Sequence, residues 1–215
     1  MQSKPKLLIF ASGTKDGGGS GFQKLCEATK TGVLDADIVG VVSNHEDGGV
    51  KQKADAFGIK FIYSPKGRTK EDYQRIVKET GADYIALSGW LGLVEGLPAD
   101  RTFNIHPVWY PSRFGGKGFY GHHIHEAVIE AYKKGELTHT GITMHFVTDI
   151  YDDTKGIFFR RKVEILPDDT PDTLFARVNA LEHHWQPIIT NRVVNGEISW
   201  DGVNPESMKG ADIED

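Results

Sequence analysis

A chain of 215 residues with 39 % hydrophobic content allows one large or two small domains, and one α/β domain with a sizeable core is the default expectation. Its 25 basic and 30 acidic residues are mixed along the chain and leave a net charge of −5, which gives no basic footprint for nucleic acid and no polybasic membrane patch. The lone Cys26 closes no intramolecular disulfide, no apolar run reaches a membrane span and the N-terminus lacks a secretory pattern, so a cytoplasmic protein acting on small molecules is expected.

Lys6 to Ala11 reads as a strand, and beyond the run Ser12 to Gly21 the residues Phe22, Leu25 and Cys26 recur at helical spacing. A glycine-rich loop between strand and helix lets backbone N–H groups close on an anion at the positive helix end, with phosphate the natural guest. It is not a Walker loop, because Phe22-Gln23 stands where a Lys-Ser/Thr pair is needed. A dinucleotide site also fits poorly, since the second strand, Ile38 to Val42, ends in Ser43-Asn44 and not in an acid. The plain alternative is a flexible surface loop.

A weak helix at Gly49 to Phe57, a strand at Lys60 to Tyr63, a helix at Lys70 to Thr80 and a strand at Asp83 to Leu87 continue the alternation. This pattern predicts a parallel sheet with helices on both faces and ligands at the carboxyl ends of its strands. Ser88 to Leu97 begins at such an end and mixes Trp90, Leu91, Leu93 and Val94 with glycines, as a loop lining an apolar slot for a flat ring would, or as core packing would.

In Asn104-Ile105-His106-Pro107 the strand period puts Asn104 and His106 on one side and Ile105 in the core, with Pro107 ending the strand. Trp109 to Gly121 lacks periodicity and reads as a long loop, followed by a helix from about His123 to Lys134. His122, His123 and His125 invite a metal reading, which the absence of nearby cysteine and of HExxH spacing disfavours. Strands at Thr140 to Thr148 and Ile157 to Ile165 flank the acidic loop Asp149 to Asp153 and are expected to pair as a hairpin. Thr170-Pro171-Asp172 starts a helix with Leu174, Val178 and Leu181 buried and Pro187 bending or ending it. Ile198 to Trp200 reads as a last strand, which gives a single domain over 1–203 and a polar C-terminal tail over 204–215.

On Ser12-Gly13 with Gly19-Ser20-Gly21, Leu87-Ser88-Gly89-Trp90, Asn104-Ile105-His106-Pro107, Gly121 with His123 and His125, His145 to Asp149, Asp152, and Arg177-Val178 through Glu182-His183, the chain resembles the phosphoribosylglycinamide formyltransferases, over about residues 7 to 202. The resemblance implies a Rossmann-like formyltransferase fold, with a mostly parallel central sheet, helices on both faces and an antiparallel C-terminal hairpin. It also implies transfer of the formyl group of 10-formyltetrahydrofolate to the amine of 5′-phosphoribosylglycinamide in purine biosynthesis, without metal, by a monomer or homodimer. Carried over residue by residue, Gly19, Ser20 and Gly21 hold the phosphate and Glu182 lies near the ribose. Leu91, Gly92, Leu93 and Val94 line the pterin slot, and Asn104, His106 and Asp152 are catalytic.

The chain departs from the family pattern in an insertion, Thr14 to Gly18, and in Gly21 where asparagine is frequent. The loop around Phe114 to Gly118 is extended, and Asp153-Thr154-Lys155 replaces the usual Gly-Gly-Pro, so choosing Asp152 over Asp149 or Asp153 rests on register. Formyl transfer passes through a tetrahedral adduct whose oxyanion needs preplaced donors, here the Asn104 amide and a protonated His106, with Asp152 expected to raise the His106 pKa. Two other readings are a formyltetrahydrofolate hydrolase, which usually has an extra N-terminal domain, and a non-catalytic module that binds nucleotide phosphate.

Overall fold

Residues 3–65, 67–116 and 121–214 are described by a computed structural model. Lys6–Phe10 (β1) has four successive buried residues because both of its faces are covered: Leu7 and Ile9 enter one core, Leu8 and Phe10 the other. Ser20–Thr31 (α1), Asp37–Ser43 (β2), Gly49–Phe57 (α2), Phe61–Tyr63 (β3), Lys70–Thr80 (α3), Tyr84–Ser88 (β4) and Thr102–His106 (β5) follow. After these come Pro111–Phe114 (α4), His122–Lys133 (α5), His139–Phe146 (β6), Ile157–Glu164 (β7), Pro171–Val194 (α6) and Asp212–Ile213 (β8).

Among the described residues one sheet runs in the order β3-β2-β1-β4-β5-β6-β7-β8. It is parallel from β3 through β5 and antiparallel across β5·β6 and β6·β7, before β8 adds a parallel edge. The larger core packs one face of the sheet against α1, α5 and α6, whereas the smaller one sets Tyr73 and Ile76 of α3 and Trp90 against Phe10 and Leu87. Strand order reverses between β1 and β4, and at such a switch point the loops leaving the two strands part to form a crevice.

Four local expectations change. Helix α6 does not end at Pro187 but continues to Val194, because Gln186, Pro187, Ile189, Thr190, Val193 and Val194 are all buried. That packing outweighs the roughly 3 kcal/mol an interior proline costs. Ile198 to Trp200 is not a strand: Ser199 forms a single bridge with Lys209, while Ile198 and Trp200 plug the core. The polar stretch after Asn204 docks onto the sheet, where Asp212 accepts from Arg161 Nη2 at 2.8 Å and from Arg192 Nη1 at 3.1 Å. Of the extended loop, Lys117 and Gly118 lie outside the described residues, and Pro111–Phe114 forms a helical turn in place of irregular chain.

Candidate active site

A cavity of ≈ 400 Å³ opens over the carboxyl ends of β1, β4 and β5 and is lined by the glycine loop, the 88–94 loop, Asn104 to Pro107, Asp152 and one side of α6. That volume suits a small-molecule site.

At the β1 end, Gly19 sits in the left-handed region at φ 71° and leads into α1 without a side chain capping the first turn and without an acid in it. The first backbone N–H groups of α1 therefore keep their positive field for the cavity. Ser20 and Gly21 lie in this turn and line the cavity with Gly19. Of the inserted Thr14 to Gly18 segment, Gly18 lines the cavity, while Thr14 N–H donates to Gly17 O at 3.0 Å and Gly49 N–H, opening α2, donates to Thr14 O at 3.2 Å. Asn44, standing where a dinucleotide site has its acid, instead accepts from Gly13 N–H at 3.1 Å and steadies the loop.

The 88–94 loop forms the apolar wall. Trp90 meets Phe10 edge-on with ring centroids 5.2 Å apart, under the Arg68 guanidinium. Leu91 N–H donates to Ser12 Oγ at 3.0 Å, and Leu93 O accepts from Tyr73 O–H at 2.9 Å. Leu91, half exposed, lines the cavity together with Gly92, Leu93 and buried Val94.

Antiparallel pairing places His145 of β6 directly opposite Asn104 of β5. His145 Nδ1–H donates to Phe146 O at 3.1 Å, which leaves Nε2 facing the Asn104 amide nitrogen, 3.3 Å away. The same Nε2 stands 3.6 Å from Asp152 Oδ1. Asp152, alone among the described non-glycine residues, has positive φ, at 45°. That turn aims its carboxylate into the cavity, where Oδ2 accepts from Gly116 N–H at 2.6 Å. Burial works to raise the Asp152 pKa, but the His145 contact, the charges His106 and His145 carry when protonated and the Gly116 amide together outweigh it and hold it at about 2. The other two candidates in the acidic loop are engaged elsewhere: Asp149 accepts from Gly96 N–H, and Asp153 accepts from Thr148 Oγ1 and Lys155 N–H.

His106 is buried, and its Nε2–H donates to Phe114 O at 3.1 Å, which leaves Nδ1 as the bare, proton-accepting nitrogen. The expected protonated resting state is corrected, although Asp152 raises the pKa as expected. Burial lowers it and outweighs both Asp152 and the Phe114 carbonyl, which raise it, so the resting imidazole is neutral at pH 7. Glu182 on α6 faces the same cavity, and burial lifts its carboxyl to about 7 against a hydrogen bond from Asn179.

The histidines at the start of α5 diverge. His122 approaches Asp172 and Glu126, His123 Nδ1 lies 3.0 Å from Glu126, and His125 is buried edge-on to Phe175. No group of metal-ligating residues occurs among the described residues. Sequence reasoning missed His145, Gln186 and the Gly116 amide as cavity groups, and the Phe114 carbonyl as the partner of His106. Alternation along β6 put His145 in a strand, but only the register against β5 reveals its partner.

An open α/β crevice with a bare helix N-terminus at one end, an apolar loop at the other and an Asn–His–carboxylate group between them defines a two-substrate group-transfer site. The formyl transferase family model matches residues 5–190. The chloroplastic phosphoribosylglycinamide formyltransferase of Arabidopsis thaliana is 34 % identical over 93 % of this chain and 70 % of its own length. That of Bacillus subtilis is 29 % identical over 88 % of this chain and 94 % of its own. The crystal structure of phosphoribosylglycinamide formyltransferase from Bacillus halodurans superposes with a TM-score of 0.74 at 26 % identity, over 88 % of this chain and 95 % of that one. The chain belongs to the formyl transferase family, among the phosphoribosylglycinamide formyltransferases.

Proposed function

We propose that this protein transfers the formyl group of 10-formyltetrahydrofolate to the amine of 5′-phosphoribosylglycinamide, a step of purine biosynthesis. The observation that carries the reading is one cavity in which the open α1 terminus, the Asn104–His145–Asp152 group with His106, and the 88–94 loop are contiguous. The acceptor's phosphate lies against Gly19, Ser20 and Gly21, with its ribose toward Glu182. The flat pterin fits the wall of Leu91, Gly92, Leu93 and Val94, and when bound the folate supplies the formyl carbon.

As the amine attacks that carbon, the Asn104 N–H not shared with His145 donates to the developing oxyanion. His106, neutral with Nδ1 bare, takes the proton the amine loses, and ionised Asp152 stabilises the imidazolium so formed. The proton then passes to the folate nitrogen as its bond to the formyl carbon breaks, so charge and atoms balance without a covalent enzyme intermediate. A cytoplasmic monomer or homodimer accords with this chemistry, and no helix among the described residues is long and apolar enough to cross a membrane.

Purified protein mixed with 10-formyltetrahydrofolate, with and without the glycinamide ribonucleotide, tests the reading through the absorbance of the deformylated folate. Turnover that requires the acceptor is expected. Equal turnover without it indicates the hydrolase, and none in either mixture reduces the protein to a binding module.

A further inference from the structure

Gln186 lies on α6, one helical turn after Glu182 and therefore on the same side of the helix, and it lines the cavity while being only 2 % exposed. Its Oε1 accepts from Ser88 Oγ at the end of β4, at 3.4 Å. Ser88 thereby fixes which end of the carboxamide is which, because the hydroxyl donates to oxygen and leaves the Nε2 end to turn outward. No described residue accepts from Nε2, and that nitrogen is not among the buried atoms sealed away from solvent, so its two N–H groups address the cavity.

The carboxamide occupies the space beside the first turn of α1. A Cβ at Gly21 would lie 2.2 Å from Ser88 Oγ and 2.6 Å from Gln186 Oε1. The missing side chain at 21 is therefore what lets Gln186 reach the N-terminus of α1. Two independent donor sets converge there: the uncapped backbone N–H groups of α1 and the unpartnered N–H groups of a buried side chain. A buried neutral donor with no protein acceptor is costly unless a ligand satisfies it, and the partner suited to both sets is an anion rich in acceptor oxygens.

We propose that Gln186 is a specificity residue for the acceptor, donating from Nε2 to a phosphoryl oxygen held at the α1 terminus, with Ser88 as the positioning residue that orients its carboxamide. This rests on the acceptor assignment above and extends it to a side chain contributed by α6. Gly21, Ser88 and Gln186 then form one matched set, since a side chain at the first would displace the third.

The test measures the coupling between the Gln186 side chain and the phosphate group by calorimetry. Wild type, Q186L and Q186E are titrated with glycinamide ribonucleotide, with its dephosphorylated riboside, with inorganic phosphate and with a folate analogue. Q186E keeps the shape and the oxygen that accepts from Ser88, so it reports even where Q186L perturbs folding. Loss of a hydrogen bond to a charged oxygen is expected to weaken ribonucleotide and phosphate binding roughly 10- to 100-fold. Riboside and folate-analogue affinities should stay within about twofold, and Q186E should be at least as impaired as Q186L. Equal losses for ribonucleotide and riboside, or none for either, overturn the proposal. If wild type binds phosphate in a Gln186-dependent way but not the ribonucleotide, the acceptor assignment fails while the phosphate contact stands.

Discussion

Replacing Asp152 with asparagine removes one charge from the centre of the cavity and changes little else. The side chains are isosteric, asparagine tolerates the φ of 45° held at this position, and its oxygen can still accept from Gly116 N–H. The carboxyl lies at about 2 in the folded protein against 3.8 unperturbed, and at 1.36 kcal/mol per pH unit this difference is worth roughly 2 kcal/mol of folding stability. The side chain is only 12 % exposed, so solvent screening discounts the figure little. Because the folded pKa is depressed, the contribution is complete above 3.8 and is lost as pH falls through about 2. Urea denaturation of wild type and Asp152→Asn should therefore differ at pH 7 by up to roughly 2 kcal/mol, less the share His106 adds only when protonated, with the gap closing as pH falls through about 2. In the same variant the His106 pKa, followed by NMR, should fall further, since Asp152 is the main influence raising it. An Asp152→Asn protein as stable as wild type at pH 7, or one whose His106 pKa rises, refutes the charge arrangement from which the mechanism is built.

Two further outcomes test neighbouring parts of the site. Burial depresses His125 to about 4, so its folded form resists protonation and costs stability as pH falls below 6.5; His125→Leu should remove roughly 2 kcal/mol of the loss between pH 7.5 and 5, and an unchanged pH profile would show that His125 is already solvated. A Cβ at Gly115 would stand 2.4 Å from both Asp152 Oδ2 and Pro111 O, so Gly115→Ala should lower kcat at least about tenfold with a small change in acceptor KM. Equal kcat in the two proteins would separate the Phe114 to Gly116 turn from the chemistry.

Periodicity carried most of the architecture. The stripe of Tyr73, Ile76 and Val77 and the glycine-free run between Thr69 and Gly81 mark α3, which occupies Lys70–Thr80 with Thr69 closing a capping box. The alternation about Ile105 gave β5 and the shared side of Asn104 and His106. What escaped is what depends on distant pairing. His145 meets Asn104 only through an antiparallel register between segments 41 residues apart. Gln186 stayed hidden because Pro187 argues for a helix bend or end, and only the buried side of α6 overrides it. Two residues of β8 carry no detectable period, yet the two arginines that meet Asp212 fix their place. The effect of Asp152 on His106 has the expected sign, but the expected protonated resting imidazole does not hold, because a neighbouring carboxylate is legible in sequence whereas depth of burial is not.

That correction strengthens the chemical reading. A histidine already protonated in the resting site has no vacancy for the amine's proton, so a protonated His106 serves as donor only by giving up the role of base. Burial keeps His106 neutral before substrate binds, and the Phe114 carbonyl fixes the tautomer with Nδ1 bare. Asp152, at about 2, is ionised across the whole working range. In the proposed reaction its attraction for His106 is thus small before proton transfer and appears in full once the imidazolium forms. An interaction realised only as the barrier is climbed raises kcat, whereas one already satisfied in the ground state would merely tighten binding.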